Sequence, residues 1–328
     1  MPIPKAELHV HIEGTLEPEL AFELARRNGI TLKHPGVAEL REAYSFDDLQ
    51  SFLHLYYELM DVLRTEADFR DLAAAYLERA AAQGVRHAEI FFDPQAHTTR
   101  GVPFETVLNG LNSALEDSED RYGVSTALIL CFLRDHPVDD ALATLEAARP
   151  HLEHISGVGL DSAEVGHPPG KFAEVFEAAG RLGLRRVAHA GEEGPAAYVR
   201  EALEVLGAER IDHGIRSLDD PDLVEHLART QVPLTVCPFS NVRLRAVDTL
   251  ADHPLRRLMD AGLLVTVNSD DPSYFGGHVH DNYLGVQEHL GLSDEDLRTL
   301  ARNSFTASFL SPERRAELIA EVDAYRFG

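Results

Sequence analysis

Two histidines near the start of the chain are spaced so that both could bind one metal ion. His9 and His11 lie two residues apart in a short apolar run over residues 7–12, and Gly14 follows it. If this run is a β-strand, the alternation of side chains places both imidazoles on one face. Converging imidazole nitrogens suit a divalent transition metal such as zinc. A His-x-His pair is often incidental, so a metal site needs further ligands.

Other polar residues that could do chemistry stand where short apolar runs end. Eight such runs alternate with helical segments, and this alternation predicts an α/β fold of the (β/α)8 TIM-barrel type rather than a doubly wound sheet. Active sites of such barrels form at the carboxyl ends of the strands. The candidates at those ends are therefore His9, His11, Asp93, Asp161, His189, His213 and Asp270.

The elements that must position these residues extend over the whole chain. Strands are predicted at residues 7–12, 87–92, 124–133, 157–160, 186–188, 210–212, 232–236 and 263–267, and helices between them at 66–83, 170–182, 196–206 and 218–230. Residues 1–328 are expected to form a single barrel domain. Segment 17–61 is too long for a loop and predicts a helical insertion over the barrel mouth, with helices at 18–28 and 46–63. Residues 293–328 predict terminal helices at 293–302 and 312–325, outside the barrel.

The strand ends contain enough ligands for a catalytic zinc site. His189, after the fifth predicted strand, could add a third nitrogen to His9 and His11, and Asp270 could add an oxygen. In a closed barrel the eighth strand neighbours the first, which brings Asp270 close to His11. These ligands are equally compatible with Fe²⁺ or Mn²⁺. The alternative is that all four are ordinary polar residues at strand ends.

Two further residues could move or hold a proton beside such a metal. Glu192 follows His189 by three residues, and a carboxyl group in a partly dry pocket has a raised pKa and can deliver a proton. Its alternative role is that of an acid at a helix N-terminus. His213 could orient a water molecule and accept or stabilise its proton. Its alternative role is that of a buried structural histidine.

Asp270 and Asp271 are adjacent and would point to different sides of an extended backbone. One could bind metal while Asp271 faces substrate, although a turn before Pro272 explains the pair equally well. Together these residues predict metal-assisted hydrolysis by an activated water, an acid and a polar anchor. They do not identify the group that is attacked.

The composition limits the classes of possible partners and indicates the cellular compartment. The formal net charge is −25, from 55 acidic and 30 basic residues, which argues against nucleic acid and membrane surfaces as partners. Only two cysteines are present, Cys131 and Cys237, so a reducing, cytoplasmic location is the simpler interpretation. No signal peptide and no apolar run of about 20 residues is recognisable. The oligomeric state is not indicated.

Four short motifs give the chain a specific resemblance. HVH at residues 9–11, HAGE at 189–192, IDHG at 211–214 and SDDP at 269–272 stand in the order and spacing typical of the adenosine/adenine deaminase family of the amidohydrolase superfamily. The resemblance implies a distorted barrel with one zinc ion on His9, His11, His189 and Asp270. It also implies that Glu192 protonates a purine ring, His213 positions the attacking water and Asp271 hydrogen-bonds the ring, with hydroxide addition at C6 and loss of ammonia.

Finer features resemble the adenine branch of that family. These are residues 158–169, VGLDSAEVGHPP, and residues 11–18, HIEGTLEP. Glu13 stands where adenosine deaminases have an aspartate that contacts ribose. The resemblance therefore predicts that Glu13, Ser162 and Glu164 face the place of the sugar and contact substrate. Phe239 and Arg245 depart from the branch and could tune acceptance of related purines.

The leading hypothesis is hydrolysis of adenine to hypoxanthine and ammonia, a step of purine salvage. The nearest alternative is a deaminase of adenosine or another 6-aminopurine, such as an N6-substituted adenine or a modified nucleoside. A barrel that only binds purine is a further alternative, but such a protein has no need for both Glu192 and His213. Ester or lactone hydrolysis often uses two metals, and no clear second ligand set is apparent.

Overall fold

The computed structural model describes residues 2–327, and its centre is an eight-stranded parallel sheet. Each strand pairs with its sequence neighbour, from the first strand to the eighth. This arrangement confirms the predicted barrel. The strands are β1 Lys5–His11, β2 Val85–Phe92, β3 Ser125–Leu133, β4 Gly157–Asp161, β5 Arg185–Ala190, β6 Arg210–His213, β7 Leu234–Val236 and β8 Val265–Val267.

The barrel closes where β1 meets the segment that follows β8. Val10 forms a parallel bridge with Asp270. The His11 N–H donates to the Asp270 carbonyl, and the Asp270 N–H donates to the His9 carbonyl, both at 3.0 Å. Nearer the start of β1, the Leu8 N–H donates to Asn268 Oδ1 at 2.9 Å. The seam of the barrel therefore holds Asp270 against the strand that carries the histidine pair.

The barrel interior is apolar directly beneath the histidines. Phe91, Ile129, Cys131 and Val187 form a small buried cluster there. The Phe91 ring lies 5.1 Å from the His9 ring and 5.0 Å from the His11 ring, measured between centroids. An apolar floor of this kind excludes water and strengthens electrostatic interactions above it.

Helices surround the barrel and cover its mouth. They are α1 Pro18–Asn28, α2 Val37–Glu42, α3 Leu49–Leu59, α4 Glu66–Ala82, α5 Pro94–Thr98, α6 Phe104–Leu115, α7 Ser118–Tyr122, α8 Val138–Ala148, α9 Ala173–Arg181, α10 Ala196–Glu204, α11 Pro221–Thr230, α12 Pro238–Arg243, α13 Leu255–Asp260, α14 Pro272–Phe275, α15 Val279–Leu290, α16 Asp294–Thr306 and α17 Pro312–Ala324. Short 3₁₀ turns lie at Glu13–Thr15, Met60–Val62, Arg149–His154, Pro169–Phe172, Ile215–Asp219 and Leu250–Asp252.

The helix predicted over residues 46–63 is shorter than expected. It begins at Leu49 because Asp48 caps it, with the Ser51 N–H donating to Asp48 Oδ1 at 2.8 Å. It ends at Leu59, where a 3₁₀ turn follows. On its buried face, the Phe52 ring packs 4.8 Å from the ring of Phe275. Helix α3 is thereby attached to the segment that follows β8 and covers the barrel mouth.

The C-terminal part of the chain adds two helices, in the segments where the sequence predicted them. Helices α16 and α17 cover the two segments expected there. The division of the chain into a single domain stays a prediction. Within residues 2–327, no helix is both long enough and apolar enough to cross a membrane.

Candidate active site

Four buried side chains converge at the carboxyl end of the barrel. His9 and His11 come from β1, His189 from β5 and Asp270 from the seam after β8, and one ligand atom of each lies within 4.8 Å of the others. Asp270 Oδ1 is 3.0 Å from His9 Nε2 and 3.3 Å from His11 Nε2. The Nε2 atoms of His11 and His189 are 3.2 Å apart. The structure thus brings all four predicted ligands together.

This cluster fits a divalent metal ion. The separations of 3.0–3.3 Å are close to those between neighbouring ligands on a tetrahedral zinc with bonds of ~2.0–2.1 Å. His9 Nε2 is buried and has no partner in hydrogen-bonding geometry. A nitrogen donor left free in this way, between a carboxylate and other imidazoles, is suited to coordination.

The protonation states of two ligands also suit a metal. Burial opposes ionisation of Asp270, but the neighbouring imidazoles of His9 and His11 hold its pKa well below the usual value. Burial and the neighbouring histidines lower the pKa of His189 well below its usual value. Asp270 is therefore ionised and His189 is neutral, as metal ligands must be.

Two carboxylates and a threonine lie behind the outward nitrogens of the three histidines. Thr235 Oγ1 lies 3.0 Å from His9 Nδ1 and donates to Asp212 Oδ1 at 2.7 Å. Asp212 Oδ2 lies 3.6 Å from the Nδ1 of His189. On the other side, Asp161 Oδ2 is 3.5 Å from His11 Nδ1. Asp212 is thus linked to His9 through Thr235 and lies close to His189, which places one carboxylate behind two of the four ligands.

Replacing Asp212 by asparagine is expected to weaken metal binding by about 10- to 100-fold, because both His9 and His189 lose a carboxylate partner. Competition with a chelator of known affinity measures this change. The matched control is Asp219→Asn. Asp219 is an exposed carboxylate in the turn that follows β6, where it pairs with Arg216. Equal metal affinity in the Asp212 variant and the control would show that the carboxylate does not support the ligands.

Glu192 and His213 lie together beside the cluster. His213 Nε2 is 3.5 Å from Glu192 Oε2 and 3.7 Å from Asp270 Oδ2. Burial raises the pKa of the Glu192 carboxyl well above its ordinary value, and the charge of Asp270 raises it further. Burial lowers the pKa of His213 to about 3, so its imidazole is neutral at pH 7. The site therefore places a proton-bearing acid next to a neutral imidazole.

A chain of hydrogen bonds assigns the tautomer of His213. The Leu255 N–H donates to His253 Nδ1 at 3.1 Å, which leaves the proton of that ring on Nε2. His253 Nε2 then donates to Asn241 Oδ1 at 3.2 Å, and Asn241 Nδ2 donates to His213 Nδ1 at 3.3 Å. Neutral His213 consequently carries its proton on Nε2, which faces Glu192. Of the two roles expected for His213, this geometry favours orienting an oxygen over accepting its proton.

Glu164 has a different role from the predicted contact with substrate. Its carboxylate accepts four backbone N–H groups, from Gly191 at 2.7 Å, Glu192 at 3.1 Å, and Glu193 and Gly194 at 2.8 Å. These bonds hold the loop that carries Glu192. Because both carboxylate oxygens are already used by the backbone, the prediction that Glu164 binds substrate is not supported.

Glu13 is likewise turned away from the predicted position. Glu13 Oε1 is 2.8 Å from His97 Nε2 and accepts the Asp93 N–H at 3.1 Å. Among the described residues, those that line the cavity do not include Glu13. Ser162 does line the cavity, and its Oγ lies 2.9 Å from the hydroxyl of Tyr57 on α3. Of the three predicted specificity residues, only Ser162 reaches the cavity wall.

Asp271 reaches the cavity with the help of a glycine. A Cβ atom at Gly14 would lie 2.0 Å from Asp271 Oδ1, so only glycine allows the turn after β1 to pack against this carboxyl group. Asp271 Oδ1 is buried without a hydrogen-bond partner. Asp271 is therefore available to a ligand, as predicted for a substrate contact.

The backbone is strained where several of these side chains emerge. Ser162, His213 and Asp270 follow or end β4, β6 and β8 with φ of 69°, 63° and 64°. Positive φ is unfavourable for residues with a Cβ, and it clusters at functional sites where surrounding contacts enforce it. The two backbone hydrogen bonds between Asp270 and β1 hold Asp270 in this conformation.

Most of the predicted site residues line one cavity under α3. Its roof is apolar and aromatic and includes Leu49, Phe52, Leu53 and Tyr56. Leu244 also contributes, whereas Phe239 and Arg245, the predicted tuning positions, are not among the described lining residues. The polar wall consists of His11, Asp93, Asp161, Ser162, His189, Glu192, His213, Asp270 and Asp271.

Comparison with known proteins gives consistent results over the full chain. The family model described as adenosine deaminase matches residues 4–325. An adenine deaminase of Streptomyces coelicolor is 70% identical, covering 100% of this chain and 97% of that protein. The crystal structure of adenine deaminase from Arthrobacter aurescens is 59% identical, with a TM-score of 0.97 and 98% of each chain covered. An amidohydrolase from Burkholderia ambifaria with bound Zn is 28% identical, with a TM-score of 0.90 over 98% of this chain and 91% of that one.

Proposed function

The chain belongs to the adenosine deaminase family, and on this premise we propose that it is a metal-dependent deaminase that converts adenine to hypoxanthine and ammonia. The observation that carries the proposal is the joint placement of Glu192, His213 and Asp271 around one cavity beside the His/Asp cluster. The name of the relative at 70% identity supports adenine as the substrate.

We propose one zinc ion per chain on His9, His11, His189 and Asp270, with Fe²⁺ or Mn²⁺ chemically compatible. A divalent metal bound there lowers the pKa of water toward ~7 and so supplies a nucleophile at neutral pH. The supporting observations are the convergence of the four donors and the bound Zn in the amidohydrolase at 28% identity.

The residues of the chain supply the proton chemistry. Glu192 donates its proton to N1, the ring nitrogen bonded to C6, which makes C6 more electrophilic. The Nε2–H of His213 orients the attacking oxygen toward C6. Burial and the charge of Asp270 raise the pKa of Asp271 well above its usual value, so its carboxyl group can donate a hydrogen bond to N7, on the other side of C6, and so orient the ring. As the C6–O bond forms and the C6–N6 bond breaks, one water proton returns to Glu192 and the other leaves with ammonia.

The shape of the cavity supports a free base over a nucleoside. Its roof presents apolar and aromatic side chains of α3, which offer few hydrogen bonds to a ribose. On the wall near Ser162, the hydroxyl of Tyr57 already binds the Ser162 hydroxyl. A protein that merely binds purine would have no use for a proton-bearing Glu192 beside His213, which argues against a non-catalytic barrel.

We also propose a small-molecule purine as the sole class of ligand, with neither nucleic acid nor membrane as a partner, and a cytoplasmic location. The net charge of −25 supports the first part, because it repels phosphate groups. The two cysteines are free and buried, which is compatible with a reducing compartment.

A panel of substrates with metal analysis of the same sample tests the proposed reaction. The zinc-loaded protein is expected to release ammonia from adenine with kcat/KM at least about 100-fold above that for adenosine or an N6-substituted adenine, because the apolar and aromatic roof offers the sugar or substituent few polar partners. Ammonia release and the ultraviolet spectrum of the purine both report turnover. Turnover of adenosine without turnover of adenine would refute the proposal.

A further inference from the structure

The proposed reaction leaves two buried carboxyl groups on the cavity wall without a role. Asp93 follows β2 and Asp161 ends β4, and both line the cavity with 2% of their surface exposed. Asp161 Oδ2 lies 3.5 Å from the Nδ1 of His11, beside the proposed metal ligands, and neither Asp161 oxygen has a hydrogen-bond partner. Asp93 Oδ1 has no hydrogen-bond partner. Burial and the neighbouring Asp161 raise the pKa of the Asp93 carboxyl group well above its usual value. A buried carboxyl oxygen without a partner is unfavourable in either protonation state, so Asp93 Oδ1 calls for a ligand that donates a hydrogen bond.

The other contacts of Asp93 keep this carboxyl group in place. Its backbone N–H donates to Glu13 Oε1, and Glu13 is itself paired with His97. Pro94 follows and begins α5, with Asp93 as its N-terminal neighbour. The side chain is thus mounted on a rigid strand–helix junction, which is the kind of support that a specificity contact needs.

The order of strands round the barrel predicts which edge of a purine meets Asp93. Round the mouth, Asp271 follows β8, Asp93 follows β2, Ser162 follows β4 and Glu192 follows β5. Round the edge of adenine, the nitrogens follow in the order N7, N9, N3 and N1. With N7 at Asp271 and N1 at Glu192, N9 falls nearest to Asp93 and N3 nearest to Ser162.

We propose that Asp93 selects the free base by accepting a hydrogen bond from the N9–H of adenine at its Oδ1 atom. This inference rests on the proposed function, because it takes its orientation from the roles of Glu192 and Asp271. N9 carries a hydrogen only in the free base, whereas in a nucleoside it is bonded to the sugar. A nucleoside would leave the Asp93 carboxylate buried without a partner, and a site built around such a bond rejects analogues that lack it.

The test measures binding of the reaction product, which is not turned over, to the zinc-loaded protein by calorimetry. The ligands are hypoxanthine, 9-methylhypoxanthine and 7-deazahypoxanthine, which has a carbon in place of N7 but keeps the N9–H, and the variants are Asp93→Ala and Asp93→Asn. In the wild type, 9-methylation is expected to weaken binding by at least about 100-fold. Asp93→Ala should weaken hypoxanthine binding by about 10- to 100-fold and reduce the penalty for 9-methylation to less than about 10-fold.

Two comparisons separate this role from a merely structural one. Asp93→Asn keeps an oxygen acceptor of the same shape, so it should retain tighter hypoxanthine binding than Asp93→Ala. The penalty for replacing N7 by carbon in 7-deazahypoxanthine, which reports on Asp271, should be equal in the wild type and in both Asp93 variants. Metal content and melting temperature identify any variant that misfolds. The control variant is Asp135→Ala, at an exposed residue after β3, and it should bind all three ligands as the wild type does.

Three results would overturn the proposal. They are an unchanged 9-methyl penalty in Asp93→Ala, relief of the 7-deaza penalty instead, or equal loss for all three ligands. The proposed function fails separately, if the zinc-loaded wild type does not release ammonia from adenine. The calorimetric measurements need no turnover, so they test the role of Asp93 whether or not the protein deaminates adenine.

Discussion

Replacing Glu192 by glutamine is expected to lower kcat for adenine by about 100- to 10,000-fold, the usual contribution of a positioned general acid. Glutamine has the same shape and can donate a hydrogen bond to N1, but it cannot transfer a proton. KM and the affinity for hypoxanthine should therefore change much less than kcat. Steady-state ammonia release and calorimetry on the same preparation separate the two effects.

The matched control for this substitution is Glu193→Gln. Glu193 is the next residue on the same loop, and its backbone N–H donates to Glu164 as that of Glu192 does. Its side chain does not line the cavity, so its loss should leave kcat within about twofold of the wild type. Wild-type turnover by the Glu192 variant would refute the acid role, and a loss of product binding equal to the loss of kcat would indicate a structural role instead.

Removal of the metal is expected to abolish deamination, with a loss of more than about 1,000-fold that added zinc reverses. A metal that polarises water is worth several kcal/mol of barrier, and each ~1.4 kcal/mol is a factor of ten in rate. Dialysis against a chelator, followed by titration with Zn²⁺, Fe²⁺ or Mn²⁺, measures both the loss and the metal preference. One zinc per chain should restore full activity.

A ligand variant extends this experiment to the residues themselves. His189→Ala should lower both zinc content and kcat, and added zinc should not restore them at concentrations that restore the wild type. His289→Ala, at an exposed histidine of α15, is the control and should behave as the wild type. Full activity of the chelated protein, or of the His189 variant without metal, would exclude a metal-dependent reaction.

The alternation of short apolar runs with helical segments predicted the barrel, because each strand is a short apolar run with a polar residue at its end. A parallel sheet buried on both faces requires such runs, so local composition carries the signal. The same signal identified His9, His11, His189 and Asp270, since strand ends in a barrel converge whatever their separation in sequence. The later start of α3 depends on the capping contact of Asp48, a detail that hydrophobic spacing does not include.

The roles of Glu164, Glu13 and Asp212 could not be predicted in the same way. Each depends on which partner faces a carboxylate across the fold, and that is decided by packing between distant segments. The Glu164 carboxylate binds the backbone of residues 191–194. Asp212 lies on β6, and its side chain approaches His9 of β1 and His189 of β5. Local patterns identify a chemically competent residue, but tertiary contacts choose between a substrate contact and a supporting one.

The seam that joins Val10 to Asp270 has a consequence for biosynthesis. A ribosome makes β1 first and the last ligand only after β8, so an incomplete nascent chain offers the two imidazoles of β1 without their carboxylate partner. Full coordination becomes available only when nearly the whole chain has been made and the barrel has closed. The order of synthesis therefore places the last of the four proposed ligands near the end of chain assembly.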